Sequence, residues 1–181
     1  MVPVALVGVY PIGPEGYQCA LLECEGSGRY IPVWLSPAGG RELAQRLNGW
    51  TPERPSPHEM LAEVISKSTT GLHSIELSSY YQGVFLATVS LNDGQELDAT
   101  ASDALILALL LDATVEADES VLAQSSLRLA AEDAQKYFDL EIAPEEDPSG
   151  SAVSDPDAQS FGEFLRSLGV EEDDLRGDGV D

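Results

Sequence analysis

The run Val84–Leu111, V-F-L-A-T-V-S-L-N-D-G-Q-E-L-D-A-T-A-S-D-A-L-I-L-A-L-L-L, constrains the fold more than any other part of the chain. Val84, Leu86, Thr88 and Ser90 alternate with Phe85, Ala87, Val89 and Leu91, the period of a half-buried strand. Asn92-Asp93-Gly94 provides the positive backbone dihedrals of a tight turn, and Glu96–Ala99 begins a returning strand. Thr100 stands three residues before Asp103, the spacing at which a hydroxyl caps a helix whose third residue is acidic. Every residue from Ala104 to Leu111 is apolar, so this helix has no water-facing side and belongs in the centre of a core. Eight apolar residues fall far short of the roughly 20 that cross a bilayer, so no membrane partner is expected.

Hairpins and helix caps recur along the rest of the chain. Val2–Tyr10, Tyr17–Cys24 and Arg29–Leu35 read as strands, with Glu25-Gly26-Ser27-Gly28 as a turn. Pro32 has no amide to donate and places its strand at an edge or a bulge. Ser36-Pro37 opens a helix that Gly49 and Pro52 close. Leu43 and Leu47, with Ala44 beside them, are its expected buried positions, and Arg41 and Arg46 read as solvated. Ser56 and Glu59 make a capping box, with Pro57 in the first turn, for a helix to about Lys67. That helix is expected to bury Met60, Leu61, Val64 and Ile65. Leu72–Ser79 is a strand joined through Tyr81-Gln82-Gly83 to the opening hairpin, Thr114–Ala117 is a short strand, and Glu119–Ala123 is a helical turn. No pattern is legible immediately beyond Leu129.

These elements make an α+β fold: an antiparallel or mixed sheet of hairpins packed against a few helices. The chain divides into a domain over 1–125 and an acidic extension over 126–181. In that extension, 143–157 reads as a disordered linker, rich in Pro, Ser, Gly and acids. Phe161, Phe164, Leu165 and Leu168 follow at helical spacing, giving an amphipathic helix over about 158–168 expected to dock on the body or on a neighbouring subunit.

The formal net charge is −23, and residues 1–140 alone carry 19 acids against 7 bases. Nonspecific nucleic-acid affinity comes from neutralising phosphates, so the balance excludes a protein that coats DNA or RNA, while leaving room for a local cleft. Cys19 and Cys24 are five apart in one strand and point to opposite faces, which argues against a bridge and for reduced thiols in a cytoplasmic protein. No basic and apolar leader begins the sequence, so export is not expected.

Most familiar chemistries are missing: there is no phosphate-binding glycine loop, nucleotide fingerprint, nucleophile elbow or cysteine–histidine zinc pattern. With only His58 and His73, a multi-histidine metal site cannot form within one chain, whereas a hard-cation site of carboxylates can. No organic cofactor is expected. His58 lies in the first turn of its helix, where a neutral imidazole is favoured and can act as a general base, or can bond the adjacent loop. His73 reads as an ordinary strand residue. Asp103 either caps its helix or holds a cation, Arg54 either clamps a phosphate or ties its loop to a carboxylate, and Trp34 and Trp50 read as core or interface residues.

Three motifs in order suggest a family: I-P-V-W-L-S-P-A-G-G at 31–40, R-P-S-P-H-E-M-L at 54–61, and L-D-A-T-A-S-D-A-L-I-L-A-L at 97–109. The chain resembles the bifunctional nuclease family, which shows L-P-I-W-I-G-x-x-E-A, R-P-L-T-H-D-L-L and A-R-P-S-D-A-I-A-L-A, and its tail resembles actinobacterial members. The resemblance implies metal-assisted phosphodiester hydrolysis of DNA or RNA and a homo-oligomer. The residues it carries over are Arg54, His58, Glu59, Ser102 and Asp103. Glu59 and Asp103 would hold Mg²⁺ or Mn²⁺, His58 would activate water, and Arg54 would steady the phosphate. The chain departs from the pattern at Gly39, where the family has glutamate, and at Thr100-Ala101, where it has Arg-Pro. A noncatalytic binding or regulatory module, or an oligomeric scaffold, on the same fold is the alternative.

Overall fold

The computed structural model describes residues 1–12 and 18–142. Strands β1 (Val2–Tyr10), β2 (Gln18–Cys24) and β3 (Arg29–Leu35) form one antiparallel meander. Strands β4 (Leu72–Tyr81), β5 (Val84–Leu91) and β6 (Glu96–Thr100) form a second. The short β7 (Val115–Ala117) joins them, antiparallel to β1 and parallel to β4, giving the order β3-β2-β1-β7-β4-β5-β6. The architecture is α+β with a mixed seven-stranded sheet. Pro32 lies on edge strand β3, where its missing amide breaks no central ladder. The β4–β5 turn places both Gln82 (φ 49°) and Gly83 (φ 84°) in the left-handed region, the twist a two-residue hairpin needs.

Helices α1 (Pro37–Leu47) and α2 (Pro57–Ser68) connect edge strand β3 to central β4, and α3 (Ala101–Leu111) carries the chain from edge strand β6 back to β7. Ser36, Ser56 and Thr100 cap these three helices, each through its side-chain oxygen. From Ala101 to Ala108 every α3 residue except Asp103 is buried against the sheet and its neighbouring helices, whereas Leu109 in the last turn is exposed, so the helix does have a water-facing side where it leaves the core. Each of Leu105, Ile106 and Leu107 contributes roughly 1.5–3 kcal/mol by leaving water. α4 (Glu119–Ser125) seals the end of this core through Val121.

The opposite face of the first meander is covered by residues 127–142, including α5 (Ala131–Phe138), a helix that the sequence reading did not find. Phe138 meets Tyr10 edge-on at 4.9 Å, and Tyr30 pairs by backbone with Leu127 in both directions. Cys19 faces this second core and Cys24 the first, both as free thiols, as their odd spacing requires. The linker over 143–157 and the helix over about 158–168 lie outside the described residues.

Several expected burials fail, and the reason is shared. α2 buries only Ala62 and Ile65, while Met60, Leu61 and Val64 are exposed, and Leu47 of α1 is also exposed. α3 lies between α1 and α2, so each outer helix presents a narrow stripe inward and leaves its flanking apolar positions in solvent.

Candidate functional site

The starts of α2 and α3 stand side by side, and α1 packs against α3 and reaches the start of α2 through the side chains of Glu42 and Arg46. This proximity depends on Gly39 of α1, where an added Cβ would lie 2.6 Å from Ser102 Oγ and 2.7 Å from Ser102 Cβ. Gly40 allows a second close approach, to Gln18 of β2, where a Cβ would meet the Gln18 Cβ at 2.8 Å. The adjacent glycines weaken α1 by about 1 kcal/mol each. They also let it sit against a helix and a strand at once.

His58 occupies the space between the three helices. Its Nδ1 is 3.0 Å from Glu42 Oε1 on α1, and its Nε2 is 3.0 Å from Asp103 Oδ1 on α3. A neutral imidazole can donate from only one nitrogen, so both contacts are hydrogen bonds only when the ring, or one of the carboxyls, carries the extra proton. The imidazole is 17% exposed, against 30% for Glu42 and 47% for Asp103, so the carboxylates are the more open ends of the array. Asp103 is also fixed locally: the Thr100 hydroxyl donates to its Oδ2 at 2.8 Å, and its amide donates to Thr100 Oγ1 at 3.2 Å.

Behind this array lies Arg46, with a side chain only 4% exposed; the expectation that it is solvated is overturned. Its Nε and Nη2 both donate to Glu42 Oε1, at 3.1 and 2.7 Å, and its Nη1 donates to Glu59 Oε1 at 2.5 Å. Nη2 also reaches Ser56 Oγ at 3.2 Å, and the guanidinium lies 5.7 Å from the centre of the Trp50 ring. Glu59 Oε2 accepts both the backbone amide and the hydroxyl of Ser56, completing the capping box. The Arg46 guanidinium, assisted by Ser56, holds the Glu59 carboxyl down at about 2, and the same hydrogen bond raises Arg46.

The residues singled out from sequence therefore divide. His58 and Asp103 touch, and Glu59 joins them through Arg46 and Glu42. Ser102 is buried, 3.0 Å from Thr100 Oγ1, and packs against Gly39. Arg54 is exposed and makes no hydrogen bond or ion pair among the described residues, so it stands apart from the array. Two members escaped the sequence reading: Glu42 and Arg46. A signal for Glu42 was available, because it lies one helical turn after Gly39, the position of the family glutamate, and so shares its face. An acid at 39 itself is blocked by Ser102.

A cleft of about 860 Å³ opens beside the array, lined by Trp34, Val84, Leu86, Asp98, Glu42 and Asp103 among others. Among the described residues its lining holds three carboxylates and no Lys, Arg or His. As metal ligands, Glu59 and Asp103 do not make a preformed site. Glu59 gives its oxygens to Arg46 and Ser56, Asp103 gives its oxygens to His58 and Thr100, and no three His, Cys or acidic side chains group as ligands among the described residues. Among those residues no helix is long and apolar enough to cross a membrane.

A mixed sheet whose helix starts bring a histidine between two carboxylates at the edge of a cleft defines an α+β protein with an acid–base constellation. The model of the bifunctional nuclease domain matches residues 20–130, and the chain belongs to that family. Two relatives from Mycobacterium tuberculosis, the uncharacterized proteins of strains CDC 1551 / Oshkosh and ATCC 25618 / H37Rv, are each 25% identical over 165 residues. The match covers 91% of this chain and 93% of each relative.

Proposed function

We propose that the protein hydrolyses phosphodiester bonds in nucleic acid at the cleft beside Asp103. The observation that carries this reading is His58 held between Glu42 and Asp103 at the cleft edge, in a chain of the bifunctional nuclease family. In the proposed reaction Asp103 accepts a proton from water as the water oxygen bonds to phosphorus. The P–O bond to the leaving sugar breaks, and that oxygen takes a proton from solvent. His58 steadies the changing charge on Asp103 through Nε2, and the first-turn amides of α3 favour the phosphate's negative charge. Arg54 is left out of this assignment, and Glu59 serves by holding Arg46 rather than by binding a metal. A homo-oligomer is part of the proposal, supported by the exposed Met60 and Val64, one turn apart on α2 and outside the cleft lining, and light scattering measures it.

The test compares wild type with a His58→Ala, Asp103→Ala double variant on single- and double-stranded DNA and RNA, with and without Mg²⁺ or Mn²⁺. Cleavage by the wild type that the double variant loses supports the reading. Equal cleavage by both, or none by either, overturns it. The latter result favours a noncatalytic binding module, a reading supported by the absence of basic residues from the cleft lining and by the mutual pairing of its polar groups.

A further inference from the structure

We propose that Arg46 is a positioning residue of this site, acting on His58 through Glu42. The inference rests on the reading of His58 and Asp103 as the working pair. It assigns a role to two residues, Glu42 and Arg46, whose contacts with each other and with His58 are made by the packed helices.

The geometry is a single chain of contacts. A buried guanidinium places two of its donors on Glu42 Oε1, and the same oxygen faces His58 Nδ1 at 3.0 Å. His58 Nε2 then faces Asp103, which lines the cleft. Glu42 sits mid-helix on a long side chain, and a carboxylate without a fixed partner would sample several rotamers. The two-pronged hold of Arg46, a planar fork that a lysine cannot reproduce, selects the one that meets the imidazole. Arg46 is itself locked by Glu59, Ser56 and the Trp50 ring. The ring orientation that presents Nε2 to Asp103 is therefore set by Arg46, directly behind the cleft-lining Glu42 and on a different helix from His58. The charged groups around the imidazole are Glu42 and Arg46 from α1, Glu59 from α2 and Asp103 from α3.

The chain has only two histidines, and His73 is exposed on β4, so ¹⁵N-histidine labelling gives one probe and one internal reference. The experiment records the ring nitrogen signals of both histidines at one pH in the full-length protein and in Arg46→Met, Arg46→Lys, Glu42→Gln and Glu59→Gln. Positioning predicts that Arg46→Met and Glu42→Gln move the His58 Nδ1 signal while His73 stays put. Arg46→Lys gives an intermediate position. Glu59→Gln loses stability but keeps the wild-type His58 signature, because the Arg46–Glu42 contact survives. If Arg46→Met does not fold, the Glu42→Gln and Arg46→Lys spectra decide the matter. His58 signals in these variants that match those of Glu59→Gln would overturn the proposal and leave Arg46 a purely structural ion pair. Where the wild type cleaves nucleic acid, Arg46→Met lowers kcat about tenfold with KM nearly unchanged, and Arg46→Lys restores part of it. A wild type that cleaves nothing removes the hydrolytic reading but leaves the ring measurement, and so this proposal, fully testable.

Discussion

Replacing Gly39 by alanine separates two effects that act in opposite directions. On helix propensity alone, Gly39→Ala in α1 should stabilise the protein by about 1 kcal/mol. The structure opposes this. The new methyl would sit 2.6 Å from Ser102 Oγ and 2.7 Å from Ser102 Cβ, where carbon atoms normally rest about 3.5–4.0 Å apart. The hydroxyl can rotate away, but Cβ is fixed to the backbone at the start of α3, so one helix must move by roughly 1 Å. Overpacking of this kind costs about 1–3 kcal/mol, and after the propensity gain the net loss is about 1 kcal/mol, a fall in Tm of roughly 2–4 °C. Urea denaturation followed by circular dichroism measures it, and a double-mutant cycle identifies its source. Ser102→Gly removes both offending atoms and should couple favourably to Gly39→Ala by at least about 1 kcal/mol. Ser102→Ala keeps Cβ and should rescue little. A stabilised Gly39→Ala variant, or a cycle in which Ser102→Gly shows no coupling, would refute the close-approach argument and reopen position 39 to the acid found there in the family pattern.

Other outcomes follow from the same geometry. Glu59→Gln should cost about 1.5 kcal/mol at neutral pH, the loss of a charge-assisted hydrogen bond to Arg46. Because the Glu59 carboxyl is lowered from 4.5 to about 2 in the folded protein, that contribution is fully present above pH 4.5 and disappears as the pH falls towards 2. The wild-type and Glu59→Gln stability curves should therefore converge in acid; a constant gap from pH 7 to pH 2 contradicts the ion-pair assignment. Thr100→Val removes the α3 cap and the hydroxyl tether of Asp103, so stability should drop by about 1 kcal/mol in denaturant titration. Burial pushes the thiols of Cys19 and Cys24 upward, so a thiol reagent should label neither in native protein and both in urea. Rapid native labelling would show that one of the two faces of β2 opens.

Most elements around the site could be read in the chain because their signals are local. Thr100 and Asp103, or Ser56 and Glu59, are one helical turn apart, and a cap depends on nothing further away. The alternation in Val84–Leu91 and the apolar run of α3 similarly need only neighbouring residues, and the structure buries Phe85, Ala87, Val89 and Leu91 of the first and Ala104–Ala108 of the second, while Leu109 is exposed. α5 is not legible in the sequence because its inward face is carried by Ala134, Tyr137 and Phe138 on a short polar helix, a pattern that becomes decisive only once the outer surface of the first meander is there to receive it. Met60 and Val64 show the converse: their spacing fits an inward face, but which stripe of α2 turns inward depends on where α3 lies.

The sequence by itself determined the hairpins, the capped helices, the central apolar helix and the two residues, His58 and Asp103, that meet at the cleft edge. Only the tertiary structure decided their company. Arg46 reads as a solvated helix residue, and Glu42 carries no signal of its own partners, until α1, α2 and α3 pack together. The start of α2 and the Trp50 ring bury Arg46, with Glu42 and Glu59 as its ion-pair partners. Arg54, the base that its motif favoured, stays in solvent because no packed neighbour offers it a carboxylate. The physical reason is range. Propensity, period and capping act within a turn or two of chain, whereas the charge of a site is set by which side chains lose their water together, and here those side chains come from three separate helices.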